Sequence, residues 1–316
     1  MRSILVLRGG ALGDLLLTLP LLQSLRRRWP ESRIEVVGNA LAAVLAVDAG
    51  CIDACHSQHE SRWLGLFLPD LPPTLRAWLS AFDLVINAWP DTDGQIRRHF
   101  PARPGQQFIS VPQIREGHGS AWSQLLEPTL KELGPDRTDD RRWQLLDISR
   151  QSKLESRRRL ASLLPATTES PVALHPGSGS NRKNAPLTEW LELSRRLAPR
   201  PVLFILGEAE ASLLPALRGA TPAPVYLLQE WPLPLLAGAL SICGGYVGHD
   251  TGVSHLAAAV GLRCVLLFGP TDPAVWAPPG DHVEILRPRT DRVTLPMDEV
   301  IARIQSWDTQ PRIGAD

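Results

Sequence analysis

The chain has 316 residues, with 33 Lys and Arg balanced by 33 Asp and Glu, so its formal net charge is zero. That balance argues against a protein dedicated to nucleic acid, which would usually carry a basic surplus, though it leaves room for a local basic patch, and the length suits two domains of ordinary size. Four cysteines in a chain this long exclude a disulfide framework.

In chain order, Ser3–Leu7 is a continuous apolar run, as expected of a strand buried on both faces of a parallel sheet. A glycine-rich turn, Arg8–Gly13, follows. A helix is expected from about Asp14 to Arg28, with Arg26–Arg28 suiting its negative C-terminal end. The apolar part of that helix, Leu15–Leu22, contains Pro20 and is too short to cross a bilayer. Further strands are expected at Ile34–Gly38, Asp83–Ala88 and Phe108–Val111. This βαβ rhythm lapses over residues 112–150, where only Trp122–Leu133 reads as a helix.

Lys153–Leu164 is a polar helix, and the rhythm restarts at Pro171. Strands are expected at Val172–His175, Val202–Leu206, Val225–Leu228, Tyr246–Val247 and Cys264–Phe268, with helices between them and a closing helix over Asp298–Trp307. The expected architecture is therefore α/β, with domains over residues 1–150 and 151–316. Each is a doubly wound parallel sheet, and ligands sit at the carboxyl ends of the strands.

Several turns at such strand ends carry chemistry. Gly244–Gly261, GGYVGHDTGVSHLAAAVG, reads as a strand, a sharp turn and a helix from Thr251 with Asp250 as its N-cap. A helix N-terminus after a small-residue turn is suited to an anion. His175-Pro176-Gly177-Ser178-Gly179-Ser180, ending in Lys183, offers close backbone approach, hydroxyls and a cation to phosphate oxygens. Lysine occurs only at 131, 153 and 183, so this placement is informative. Glu208 ends a strand, where an acid can meet a ribose hydroxyl. Phe268–Pro273 forms a further turn beside the same sheet edge.

In the first turn, Asp14 reads either as a plain helix cap or as a general base held ionised at a helix start. The turn is neither GxGxxG nor a P-loop. Asp91-Thr92-Asp93 matches the short DxD pattern of metal-dependent sugar transferases, but reads better as a turn. Cys51, Cys55, His56 and His59 lack zinc-site spacing, so no metal is expected. Trp63, Leu64, Leu66, Phe67 and Leu68 form an apolar cluster that reads either as core or as a lip toward a lipid surface.

Taken together, Arg8–Leu22 (RxxxLGDxLLTLPLL), His175–Lys183 (HPGSG…K), Gly248–Gly261 (GHDTGVSHLAAAVG) and Phe268–Pro273 (FGPTDP) resemble, in order and spacing, glycosyltransferase family nine, the bacterial ADP-heptose:lipopolysaccharide heptosyltransferases. The resemblance covers nearly the whole chain. It implies a GT-B fold, two Rossmann-like domains facing across a crevice, with acceptor binding in the first and nucleotide-sugar binding in the second. It implies an inverting, metal-independent transfer of heptose from ADP-heptose to an inner-core lipopolysaccharide acceptor, with no cofactor.

Carried over residue by residue, Asp14 is the base and Lys183 offsets charge on the leaving diphosphate. Thr251 and Gly252 offer backbone N–H groups to the phosphates. Asp250 bonds sugar hydroxyls, Glu208 reaches the ribose, and Ser178 and Gly179 complete the donor side, with His255, on the helix rather than at its tip, either a donor contact or a structural support. Gly10 stands on the acceptor side; that domain lacks a lysine-rich patch for an acidic acceptor, and Arg97 and Arg98, with Arg103 and Arg115, are the cations that could serve instead. The sequence departs from the family after Lys183, where Asn184-Ala185-Pro186 replaces a Trp-Pro pair.

Another nucleotide sugar, a polysaccharide or protein acceptor, or a non-catalytic nucleotide-sugar-binding role are the alternatives. MRSILVLRGG shows no signal-peptide pattern. The expected location is cytoplasmic, peripheral at the inner face of the inner membrane, with no nucleic-acid partner.

Overall fold

The computed structural model describes residues 1–307 except 69, 102, 139–141, 165–168, 181–182, 221–224 and 288–292. The chain divides into two compact units, Met1–Gln144 and Leu145–Asp316; the sequence reading places the boundary after residue 150.

The first unit runs β1 (Ser3–Arg8), α1 (Leu12–Arg28), β2 (Arg33–Gly38), α2 (Ala40–Asp48) and β3 (Ala54–Ser57). A 3-10 helix (Ser61–Phe67), α3 (Pro73–Ser80), β4 (Leu84–Asn87), α4 (Gln95–His99), β5 (Gln107–Ser110) and α5 (Ala121–Leu133) follow. Among the described residues the sheet order is β3-β2-β1-β4-β5, all parallel. The chain starts in the middle and winds outward in both directions, which leaves β1 covered on both faces. Ile4, Leu5, Val6 and Leu7 are accordingly fully buried, and a strand with two buried faces needs an unbroken apolar run.

One face of this sheet is packed by Trp63, Leu66, Leu75, Leu79, Phe82 and Phe100. Trp63 thus belongs to the core, with its indole N–H donating to the Ser57 carbonyl at 2.6 Å. Leu64, Phe67 and Leu68 are the exposed part of that cluster. The 3-10 winding sets i and i+3 on one side, so the lip read in the sequence splits between the two faces.

The second unit runs α6 (Arg150–Leu163), β6 (Val172–His175), α7 (Leu187–Arg196), β7 (Val202–Leu206), a 3-10 helix (Glu208–Leu213), α8 (Leu214–Ala220) and β8 (Val225–Gln229). It continues through α9 (Leu233–Leu240), β9 (Gly245–His249), α10 (Gly252–Ala259), β10 (Cys264–Leu267), α11 (Pro273–Trp276), β11 (Val283–Leu286) and α12 (Met297–Trp307). The sheet order is β11-β10-β9-β6-β7-β8, again parallel. The chain order reverses between β6 and β9, the topological switch point where doubly wound sheets hold ligands. His175 is level with Gly248 and His249 with Leu267. The turns after β6, β9 and β10 therefore meet at one edge. Trp190, Phe204, Val247, Val265 and Val300 fill the core behind that edge.

Candidate functional site

In the second unit, the loop after β6 brings Lys183 to the turn after β9. Lys183 Nζ lies 3.1 Å from Asp250 Oδ2. The same oxygen accepts the Thr271 hydroxyl, at 2.5 Å, from the turn after β10. Three separate turns are thus tied at one carboxylate. The Asp250 side chain is 11% exposed and that of Lys183 is 23% exposed, so the pair keeps an open side. His255 Nε2 stands 4.0 Å from the other Asp250 oxygen.

Asp250 is not the helix cap. Thr251 holds that position, with φ −147° and its hydroxyl accepting the Ser254 N–H. The Asp250 carboxylate is drawn instead to the cation and the hydroxyl beside it, and a charged donor outcompetes a backbone amide. The strand before it runs on to His249, longer than the two residues expected. Gly252 opens α10, and the N-terminal amides of that helix lie next to the Lys183–Asp250 pair.

The Ser178 hydroxyl is within 2.6 Å of Asn184 Oδ1 and 2.8 Å of the Ser180 carbonyl. Ser178 therefore braces its own loop. A side chain at Gly179 would meet open space, whereas a Cβ at Gly177 would overlap the Glu210 carboxylate. Glu208, the acid singled out in the sequence, is exposed at the start of its 3-10 helix. Glu210 is the buried acid, accepting the Gly207 N–H at 2.9 Å. The tight 3-10 turn after Gly207 aims the third residue of the helix back at the loop, and the sequence reading misses it.

Two buried histidines underlie this edge. His175 Nδ1 bonds the Ile205 carbonyl at 3.0 Å, and burial holds its pKa below the ordinary value. Burial pushes His249 down to about 3, helped by neighbouring His175. Both rings are neutral at physiological pH.

In the first unit, α1 begins at Leu12, and Asp14 is its third residue, not its cap. Asp14 Oδ2 accepts the Ala11 N–H at 2.9 Å and Oδ1 accepts from Arg8 Nη2 at 2.8 Å. Arg8 also reaches the Thr18 hydroxyl, at 3.2 Å, and burial lowers its pKa while Asp14 opposes that shift. The Asp14 side chain is 31% exposed. Gly10 has φ +112°, and a Cβ there would run into Asp14. The Gly10 N–H is held by Gln58 Oε1 at 3.0 Å.

Arg97 and Arg98 lie on α4. Arg97 donates to the Phe108 carbonyl at 3.1 Å, and Arg98 to the Asp93 carbonyl at 2.5 Å. Arg103 instead pairs with Asp83 at 2.7 Å. Asp91 accepts the N–H groups of Ile96 at 2.8 Å and Arg97 at 3.0 Å, and Asp93 that of Gln95 at 3.2 Å. Both carboxylates of the DxD pattern thus brace the first turn of α4. His56 is directed to Glu35 at 2.5 Å and to Arg62 at 2.9 Å. Among the described residues no cluster of three or more His, Cys, Asp or Glu side chains is arranged to hold a metal.

Two parallel, doubly wound sheets, with charged turns at the switch point of the second, define a GT-B glycosyltransferase architecture. The model of glycosyltransferase family 9 (heptosyltransferase) matches residues 138–296, and the chain belongs to that family. Its fold is similar to those of three solved structures. The Escherichia coli ADP-heptose LPS heptosyltransferase II has a TM-score of 0.76 at 17% identity, covering 97% of this chain and 98% of that one. The E. coli heptosyltransferase WaaC, solved with ADP, has a TM-score of 0.71 at 20% identity, covering 97% and 100%. A family 9 glycosyltransferase from Veillonella parvula has a TM-score of 0.74 at 20% identity, covering 96% and 91%. Comparison with curated proteins by sequence gives no match. Among the described residues no helix is long and apolar enough to cross a membrane.

Proposed function

We propose that the protein transfers a heptose from ADP-heptose to an acidic inner-core lipopolysaccharide acceptor, with inversion and without a metal. The observation that carries this reading is the Lys183–Asp250–Thr271 constellation beside the N-terminus of α10. Lys183 and the α10 amides supply positive charge for a leaving diphosphate, the part a metal plays in other transferases. Asp250 and Thr271 offer hydrogen bonds to sugar hydroxyls. The E. coli relative WaaC was solved with ADP and with a fluorinated ADP-heptose, which supports an adenine nucleotide as donor.

In the proposed step the acceptor hydroxyl loses its proton to Asp14. Its oxygen bonds the anomeric carbon as the bond from that carbon to the diphosphate oxygen breaks. ADP leaves with the bonding pair, and its growing charge is met by Lys183. One carboxylate base and one displacement invert the centre. Asp91 and Asp93 are engaged with backbone amides, which supports a transfer that does not use them as metal ligands.

Residues 1–144 are assigned to the acceptor, with Arg97 and Arg98 as cations for its acidic groups, and residues 145–316 to the donor. The exposed Leu64, Phe67 and Leu68 suit the lipid portion of such an acceptor or the membrane surface around it. Gln95 donates to the Phe67 carbonyl at 3.2 Å, so α4 carries its arginines next to that apolar edge.

The test is ADP release from ADP-heptose in the presence of an acidic inner-core glycolipid, with EDTA, and the anomeric configuration of the product by NMR. Acceptor-dependent, EDTA-insensitive release with inversion is expected. A requirement for added divalent metal, or retention of configuration, contradicts the mechanism.

A further inference from the structure

His249 occupies an unusual node. Its ring is fully buried at the end of β9 and packs edge-on against Trp190, centroids 5.2 Å apart at 77°. Nε2 accepts the Ala185 N–H at 3.1 Å, and the Pro176 backbone is close enough to act on the ring electrostatically. Pro176 and Ala185 bracket the loop that carries Ser178 and Lys183. The His249 carbonyl accepts from the Ser254 hydroxyl in the first turn of α10. That hydroxyl is also 2.9 Å from the buried Tyr246 hydroxyl. The next residue along the chain is Asp250, the partner of Lys183.

We infer that His249 is a positioning residue, a neutral imidazole that clips the lysine loop to the turn and helix of the diphosphate site. An imidazole suits the task because an acceptor at Nε2 requires the neutral form with its proton on Nδ1. Burial keeps the ring in that form throughout the working pH range. The Ala185 amide is itself buried, so without the ring it has no acceptor. The loop is then free to take other positions, and Lys183 is no longer delivered to Asp250 and the α10 amides. A glutamine in place of His249 presents an acceptor near the position of Nε2, whereas a leucine of similar bulk cannot. This inference rests on the reading of Lys183 as a diphosphate ligand.

The test compares wild type, His249→Leu, His249→Gln, Lys183→Ala and the His249→Leu/Lys183→Ala double variant, using calorimetric titration with ADP and hydrogen exchange at the Ala185 amide. Loss of the acceptor should weaken ADP binding by about ten-fold in His249→Leu, with His249→Gln recovering most of it. In the Lys183→Ala background the same change should cost less than about two-fold, since residues acting through one group are non-additive. Ala185 should exchange at least about ten-fold faster in His249→Leu and near the wild-type rate in His249→Gln. Additive effects of the two substitutions, or unaltered exchange at Ala185, overturn the inference. If wild type binds no ADP while exchange responds as expected, the link to the diphosphate falls together with the donor reading, and only the backbone clip stands. If His249→Leu does not fold, His249→Gln carries the test: ADP binding or Ala185 exchange about ten-fold or more from wild type overturns the inference, and values close to wild type uphold it.

Discussion

Replacing Asp14 by Asn separates catalysis from structure. In the protein, one carboxylate oxygen accepts from Arg8 at 2.8 Å and the other from the Ala11 amide at 2.9 Å. Asn keeps a single acceptor oxygen, so its NH₂ must face one of these two donors. Losing one charge-assisted bond costs about 1.5–3 kcal/mol when buried, and the 31% exposure of the side chain reduces that to about 1–2 kcal/mol. A general base contributes about 10²–10⁴ in rate, which is roughly 3–5.5 kcal/mol of barrier. Turnover should therefore fall by at least a hundred-fold while the thermal midpoint drops by only a few degrees. ADP affinity should stay within about two-fold, because the residues assigned to the donor all lie in residues 145–316. The assay is initial-rate ADP release alongside a thermal melt and an ADP titration on the same preparation. Turnover within ten-fold of wild type, with the melt lowered as expected, refutes Asp14 as the base.

Lys183→Ala should weaken ADP by about 10–100-fold, the worth of one charge-assisted hydrogen bond, and calorimetry measures it directly. Gly10→Ala places a methyl in the space of the Asp14 side chain at φ +112°; a loss of about 1–3 kcal/mol in stability, with turnover falling in parallel, is expected from melts and rates. Acidification should destabilise the second unit. Unfolded His249 takes a proton below about 6.5, whereas the folded ring resists until about 3. Its contribution is complete above 6.5 and declines as pH falls toward 3, by about 2 kcal/mol at pH 5. Buried His175 adds in the same direction, and urea denaturation at pH 7 and 5, with His249→Gln giving the shallower dependence, checks the sign. Leu64→Ser with Phe67→Ser should lower co-sedimentation with anionic liposomes without lowering the melt, whereas Trp63→Ser should unfold the first unit because its indole is core.

Much of the fold is legible from apolar runs. Ile4–Leu7 and Val202–Leu206 are buried on both faces, so their sequences carry the signal undiluted. β11 is not legible: His282-Val283-Glu284-Ile285-Leu286 is short, follows a Pro- and Gly-containing turn, and as an edge strand is only partly buried. The site divides the same way. Lys183 stands out because lysine is rare in the chain, and Asp250 because it sits between a strand and a helix. Its pairing with Thr271 is not readable, since it depends on the β9–β10 register. Glu208 is readable as an acid at a strand end, whereas the buried Glu210 that accepts the Gly207 N–H is not, because the sequence does not say that the chain enters a 3-10 turn after Gly207. Arg8 stands in the motif without an assigned partner; only the path of the turn from β1 into α1 shows that it and Asp14 face each other six residues apart.

The most direct measurement is calorimetric titration of the protein with ADP, UDP, GDP and ADP-heptose, each with and without EDTA. The central claim is that residues 145–316 hold an adenine nucleotide sugar through Lys183 and the α10 amides without a metal. It predicts preferential binding of ADP and ADP-heptose, unchanged by EDTA and weakened by Lys183→Ala. A preference for UDP or GDP, loss of binding on chelation, or indifference to Lys183→Ala contradicts it.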